Sequence, residues 1–269
     1  MVQFDLKGKR AVVTGGAGIL GKHFCRGLAE HGADVAVVDL FEDPAKELAE
    51  ALKAEYGVNA VGVGCDVSKP ESVNAMVEAV VAGLGGIDIL HNNAAAKSSD
   101  LKAFFAPFEE YRLDIWREIM AVNIDGMMLV AQRVGKQMIE QGTGGSVIQT
   151  SSIYGVVAPD PRIYAGSQYM GVEINTPAVY AASKAAVIGL SRYLSTYWAP
   201  HGIRVNTLTP GGNESGQNET FLKNYSSRCP MGRMGQPSEM VGALIYLASD
   251  AASYVTGQNI CVDGGWTAW

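Results

Sequence analysis

Ala11-Val12-Val13-Thr14-Gly15-Gly16-Ala17-Gly18-Ile19-Leu20-Gly21 is the stretch on which the fold turns. A short valine-rich run passes through glycines into residues that can open a helix. Gly15, Gly18 and Gly21 let a backbone bend tightly and approach a pyrophosphate. The N-terminus of the following helix offers free N–H groups and a partial positive charge. Glycine spacing alone is a weak signal, because turns collect glycine. A strand before it and a helix after it give it force.

The same rhythm continues outward. Strand-like runs fall at 10–14, 34–39, 59–64, 87–91, 146–150, 203–208 and 259–262. They are rich in Val and Ile and mostly do not alternate, as expected for strands covered on both faces. Helix-like stretches lie between them, among them 44–56, 70–84, 115–141, 178–199 and 237–249. Pro44, Pro70 and Pro237 stand where a first helical turn tolerates proline. Strand–helix repetition predicts an α/β, doubly wound parallel sheet flanked by helices, with right-handed crossovers. No linker or low-complexity tract interrupts it, so residues 1–269 are expected to form one domain. Two segments break the rhythm, at 157–177 and 211–234. Both follow predicted strands and should emerge at the carboxyl edge of the sheet, where ligands bind.

Other polar residues sit at strand ends. Asp39 lies 18 residues after Gly21. A carboxylate there can accept from both ribose hydroxyls of an adenosine and would repel a 2′-phosphate. Leu40 and Phe41 follow, with no adjacent cation, which favours NAD over NADP. The alternative for Asp39 is a helix cap. Asp66, in Cys65-Asp66-Val67, can meet an adenine amino group or cap the helix led by Pro70. Asn93 and Ala94, in Asn92-Asn93-Ala94-Ala95, can pack beside the ribose.

Tyr180-Ala181-Ala182-Ser183-Lys184 places a phenol and an ammonium four residues apart, on one face of a predicted buried helix. A nearby cation favours the phenolate and is expected to lower the tyrosine's pKa from its ordinary value of about 10. A tuned tyrosine can move a proton to or from an alcohol or carbonyl oxygen. Alone, such a pair is usually a surface pair; the company it keeps changes that. Tyr154, Tyr164 and Tyr169 are rival phenols, but none has a lysine four residues on.

Composition narrows the function classes. The 269 residues are 48% hydrophobic and 18% charged, enough for a large core, and the formal charge is -6. An acidic balance argues against nucleic acid or an anionic membrane as the main partner. The four cysteines and four histidines are scattered, without metal-ligand spacing. They predict reduced thiols in a cytoplasmic protein and no metal. Residues 1–10 carry charge without a long apolar core, unlike a signal peptide. No apolar run approaches the roughly 18 residues that span a bilayer.

Taken in order, Thr14–Gly21, Asp66, Asn92–Ala95, Ser152 with Tyr180 and Lys184, and Pro210-Gly211 resemble the short-chain dehydrogenase/reductase superfamily over nearly the whole chain. The resemblance implies a Rossmann-type domain with a seven-stranded parallel sheet, a bound NAD(H) or NADP(H), and commonly a tetramer, with a dimer also possible. It implies that Ser152 binds the substrate oxygen, with Ser151 the less favoured choice. Tyr180 is then the acid–base, and Lys184 tunes it and holds the nicotinamide ribose. By the same resemblance Asn123 anchors a proton-relay water; the alternatives are a plain helix-kinking residue for Asn123 and a turn cap for Ser152. Candidate cofactor contacts are Gly15, Gly18, Ile19, Leu20, Asp39, Asp66, Val67, Asn93, Ala94, Tyr180, Lys184, Pro210 and Gly211, and Asn213 joins Ser152 and Tyr180 at the substrate. Three departures stand out: the Gly-x-x-Gly-x-x-Gly spacing of the turn, Ala95 in place of a glycine, and Ser152 and Tyr180 standing 28 residues apart, wider than the family's usual gap. The added loop, 158–176, is expected to fold over the substrate.

Asp160, Arg162, Gln168, Glu173, Asn213, Glu214, Gln217 and Asn218 make the two lid segments polar. The C-terminal Asp263-Gly264-Gly265-Trp266-Thr267-Ala268-Trp269 also resembles the tail of sugar-modifying members. Both favour a sugar, sugar acid or polyol as substrate. A reductase of another small ketone or keto-acyl compound is the alternative enzyme. A non-enzymatic NAD-binding redox sensor is the alternative of another class, which need not keep Asn123, Ser152, Tyr180 and Lys184 together. The apolar residues 185–190 and the tail around Trp266 and Trp269 suggest association or ordinary core.

Overall fold

Backbone hydrogen bonds that leave the carboxyl ends of parallel strands free build this molecule, a computed structural model that describes residues 4–269. The reading of the N-terminus as no leader rests partly on residues 1–3, outside the described residues. In chain order the elements are β1 (Arg10–Thr14), α1 (Gly21–Glu30), β2 (Asp34–Asp39), α2 (Glu42–Tyr56), β3 (Ala60–Gly64), α3 (Pro70–Leu84) and β4 (Ile89–Asn92). There follow α4 (Leu101–Phe104), α5 (Leu113–Met120), a π-helical turn (Ala121–Gly126), α6 (Met127–Gln141) and β5 (Gly145–Thr150). The chain ends with β6 (Gln168–Tyr169), β7 (Val172–Glu173), α7 (Ala178–Tyr197), β8 (Ile203–Pro210), α8 (Glu219–Arg228), α9 (Val241–Ala248) and β9 (Asn259–Val262).

Seven strands form one parallel sheet in the order β3-β2-β1-β4-β5-β8-β9, as the strand pattern predicts. The order reverses between β1 and β4, which opens a crevice at their carboxyl ends. One apolar layer packs α1, α2 and α9 on one face through Phe24, Leu28, Leu52 and Leu244. A second packs α3, α6 and α7 on the other through Val77, Val80, Val134 and Leu194.

Local differences from the predicted elements have physical causes. The fourth strand starts at Ile89 rather than 87, because the backbone N–H and C=O of Ile87 bond the Gln141 side chain, each at 2.8 Å. The stretch 237–249 divides into a 3-10 turn, Pro237–Met240, and α9. The predicted helix 115–141 is broken by the π turn. Both segments expected to form lids contain regular structure. The first holds a 3-10 turn, Pro161–Tyr164, and the β6–β7 hairpin, and the second holds α8. No described helix is long and apolar enough to cross a membrane.

Candidate active site

The glycine turn is fixed by close approach. Gly15 has φ +64°, a left-handed conformation, and a Cβ added at Gly21 would stand 2.0 Å from the Gly15 carbonyl oxygen. Gly21 therefore lets α1 start hard against the end of β1. Thr14, fully buried, fastens this turn to β4. Its hydroxyl accepts from the N–H groups of Asn93 (2.9 Å) and Ala94 (3.1 Å) and donates to Asn92 Oδ1 (3.2 Å). Asn93 Nδ2 donates back to the Thr14 carbonyl at 3.1 Å. Sequence reasoning missed Thr14 as an organiser. Its signal is a hydroxyl residue as the last position of a buried strand.

Asp39 accepts from the N–H of Ala17 (3.0 Å) and of Leu40 (2.9 Å), so it braces the glycine turn rather than capping a helix. Asp66 accepts from the backbone and hydroxyl of Ser68, forming a local turn; α3 has no side-chain cap. Ile19, Leu20, Val67, Pro210 and Gly211 line the same cavity as these residues.

The cavity has a volume of about 730 Å³ and runs from the glycine turn past Asp39, Asp66 and Asn93 to Ser152, Tyr180 and Lys184. Its size falls within the usual range for small-molecule sites. A cradle that tolerates no Cβ at one end, carboxylates midway and a phenol–lysine pair at the other fit a dinucleotide.

The catalytic candidates converge despite the long insertion. The Ser151 hydroxyl donates to the Lys184 carbonyl at 2.7 Å, so Ser151 pins the end of β5 to α7 and Ser152 faces the cavity. Ser152 Oγ also accepts from the Tyr154 N–H at 3.3 Å, so the turn-cap reading holds alongside. Lys184 is 2% exposed and donates to the Thr150 carbonyl at 3.0 Å, with Nζ 5.9 Å from the Tyr180 ring centre. Burial lowers the lysine's pKa to about 8. Burial raises the Tyr180 phenol above its ordinary value, the Ser152 hydroxyl pulling against it and Tyr164 adding to it. The expected lowering of the phenol by Lys184 is thus not what the protein groups alone produce: desolvation outweighs an ammonium already engaged with a carbonyl.

Asn123 sits fully buried in the π turn. Its Oδ1 accepts from the Ala96 N–H (2.9 Å) and its Nδ2 donates to the Ser183 hydroxyl (3.3 Å), one residue before Lys184. Asn213 lines the cavity, but its Nδ2 donates to the Gly211 carbonyl at 2.8 Å and its buried Oδ1 has no partner, so its amide is turned into its own loop.

The lids correct the sequence reading more sharply. Asp160 and Arg162 pair with each other at 2.7 Å, Gln168 and Glu173 face out on the hairpin, Glu214 is exposed and Asn218 caps α8. Of the eight polar lid residues, Asn213 and Gln217 line a second cavity of about 320 Å³ beside Ser152 and Tyr180. That cavity is instead walled by Tyr154, Tyr164, Phe221 and Tyr225, which sequence reasoning did not select. Trp266, 1% exposed, stacks on Tyr225 at 4.3 Å and is core rather than an association surface.

A parallel sheet with a switch-point crevice, a glycine cradle and a serine–tyrosine–lysine cluster at its far end define an oxidoreductase acting on secondary alcohols. The family model described as "Enoyl-(Acyl carrier protein) reductase" matches residues 15–267. A 2,5-dichloro-2,5-cyclohexadiene-1,4-diol dehydrogenase of Sphingobium indicum is 36% identical over 98% of this chain and 99% of its own length. A D-threitol dehydrogenase of Mycolicibacterium smegmatis is 36% identical over 98% of this chain and 95% of its own. A crystal structure of a gluconate 5-dehydrogenase from Burkholderia cenocepacia, in complex with NADP and tartrate, superposes with a TM-score of 0.87 at 35% identity, covering 100% of this chain and 98% of that one. The chain belongs to the short-chain dehydrogenase/reductase superfamily.

Proposed function

We propose that the protein is an NAD-dependent dehydrogenase that interconverts a secondary alcohol and a ketone on a sugar, sugar acid or polyol. One domain carries both the cofactor and the substrate. The observation that carries the reading is the convergence of Ser152, Tyr180 and Lys184 on one cavity with the glycine cradle. The cradle residues Gly15, Gly18, Ile19 and Leu20 would hold the pyrophosphate. Asp39, Asp66, Val67, Asn93 and Ala94 would hold the adenosine. Lys184, Pro210 and Gly211 would hold the nicotinamide end. When bound, the nicotinamide accepts a hydride from the carbinol carbon or returns it to the carbonyl.

The protein's part is orientation and proton transfer. Ser152 donates to the substrate oxygen. Tyr180 takes the hydroxyl proton in oxidation and gives it back in reduction. Lys184 lies on the same face of α7 and stabilises the phenolate as it forms. Asn123 positions Lys184 through Ser183. Its amide already bonds Ala96 and Ser183, and its main chain would offer a relay water a further contact. Asp39 supports NAD over NADP, since a 2′-phosphate would meet its carboxylate. The Burkholderia relative's NADP complex makes this preference worth measuring.

A cytoplasmic homo-tetramer is our reading of the assembly. It is supported by α7, which turns Ala182, Ala185, Gly189 and Tyr193 outward. The test of function is NADH formation by purified protein across sugars, aldonates, polyols and apolar secondary alcohols. Turnover within the hydroxylated set is expected. Clear turnover of apolar alcohols alone would replace the substrate class, and NADH binding without any turnover would favour the redox-sensor alternative.

A further inference from the structure

Three hydroxyls meet above the second cavity. Tyr164 donates to the Tyr154 hydroxyl at 3.1 Å and is hydrogen-bonded to the Thr176 hydroxyl. Tyr164 and Thr176 both come from the 158–176 insertion. Tyr154 follows Ser152 by two residues. Each hydroxyl carries one hydrogen, so the cluster holds three O–H donors, and two are spent within it. The Tyr154 O–H, also within reach of Thr176, and several lone pairs can turn to another group. Tyr154 and Tyr164 both line the cavity together with Ser152 and Tyr180.

Charge points the same way. No Lys, Arg, His, Asp or Glu lines this cavity among the described residues. The two lid segments contain four cations, and none is directed into it. Arg162 pairs with Asp160 at 2.7 Å, and Arg233 with Glu239 at 2.7 Å. Arg228 lies over the Trp266 ring at 5.2 Å and beside Asp160 at 3.8 Å. Lys223 is exposed, two positions from both Phe221 and Tyr225 on α8 and therefore on the opposite face. Lys184, the one cation in the larger cavity, is bonded to the Thr150 carbonyl. A substrate carboxylate would lose its water here without gaining a cation, whereas a hydroxyl would gain a hydrogen-bonded partner.

We propose that the site selects a neutral, polyhydroxylated alcohol over the corresponding sugar acid, with the Tyr154–Tyr164–Thr176 hydroxyl cluster binding a hydroxyl other than the one oxidised. This rests on the dehydrogenase reading above and narrows it. A site built to bond a hydroxyl discriminates through the group left unpaired when that hydroxyl is missing.

The experiment compares kcat/KM for matched pairs at saturating NAD: xylitol against xylonate, and threitol against threonate, with cyclohexanol as a mono-alcohol. The polyols are expected to exceed the acids by at least about tenfold. Tyr164→Phe and Thr176→Val are each expected to raise KM for the polyols more than for cyclohexanol, with NADH binding followed by fluorescence as the check on folding. Acids used as well as polyols would overturn the inference and leave the dehydrogenase reading standing. Preference for polyols with unchanged KM in both variants would remove the hydroxyl cluster from recognition. Turnover of cyclohexanol alone would overturn both readings.

Discussion

The glycine-turn end of the long cavity and the smaller cavity beside it are built differently. At the glycine-turn end, a tight glycine contact and two side chains hold mainly backbone groups. Gly21 presses on the Gly15 carbonyl, Thr14 ties three groups of the β4 end, and Asp39 braces the N–H of Ala17. In the smaller cavity, side chains hold side chains. Tyr154, Tyr164 and Thr176 share hydrogen bonds, and Tyr225 stacks on Trp266. A cradle made of main-chain approach tolerates few residue types, while a wall of side chains can be rebuilt without disturbing the sheet. The first is suited to a constant ligand and the second to a changing one.

The largest expected effect lies where the two cavities meet. Tyr180→Phe should lower turnover by about 10²–10⁴-fold, the usual worth of positioned acid–base catalysis, with NADH binding kept. Near-normal turnover in a steady-state assay would dismiss Tyr180. Next, Gly21→Ala should destabilise the fold by about 1–3 kcal/mol, because the Gly15 carbonyl must shift. Urea denaturation measures this, and NADH affinity should fall with it. A neutral outcome in both would mean the cradle is looser than the geometry shows.

The seam between the halves adds a pH test. His91 is fully buried against Phe24 and bonded to the Thr150 hydroxyl at 2.8 Å, and burial lowers its pKa from 6.5 to about 3. Between those values the unfolded chain binds a proton that the folded chain refuses. Stability should therefore be unaffected by His91 above pH 6.5 and fall as pH drops toward 3, by about 1.4 kcal/mol per unit at most. Denaturation midpoints of His91→Phe should show a shallower acid slope than the parent; parallel slopes would assign the acid sensitivity elsewhere. The smallest effect is Asp39→Ser, expected to move the ratio of NAD to NADP kcat/KM by about tenfold toward NADP, some 1.4 kcal/mol. An unmoved ratio would place cofactor choice outside Asp39.

The same contrast explains what could be read from the residues alone. The cradle was legible because its constraints act over a few consecutive positions: glycines, a strand-end carboxylate, a lysine four residues after a tyrosine. The lids were not, because polarity in a loop does not say which way a side chain points. Asp160 and Arg162 counted toward a polar lid and are bonded to each other. Tyr154 and Tyr164 looked like spare phenols and line the pocket. The lysine–tyrosine pair was legible as a spacing but not as an electrostatic effect, since burial depends on neighbours distant in the chain. The π turn was hidden because it alters the helical period over only six residues, Ala121–Gly126.

That turn has a consequence for how the chain can vary. A π turn accommodates a residue that α geometry would not, and each residue of an α-helix advances the phase by about 100°. The rod therefore offers Ile115 and Ile119 to one apolar cluster and Val130 and Val134 to another. Trimming a single residue between 121 and 126 would let the ladder relax to ordinary pitch and rotate everything downstream, pulling Asn123 away from Ser183 and unseating α6 together. Length, as much as the identity of Asn123, is what this segment depends on.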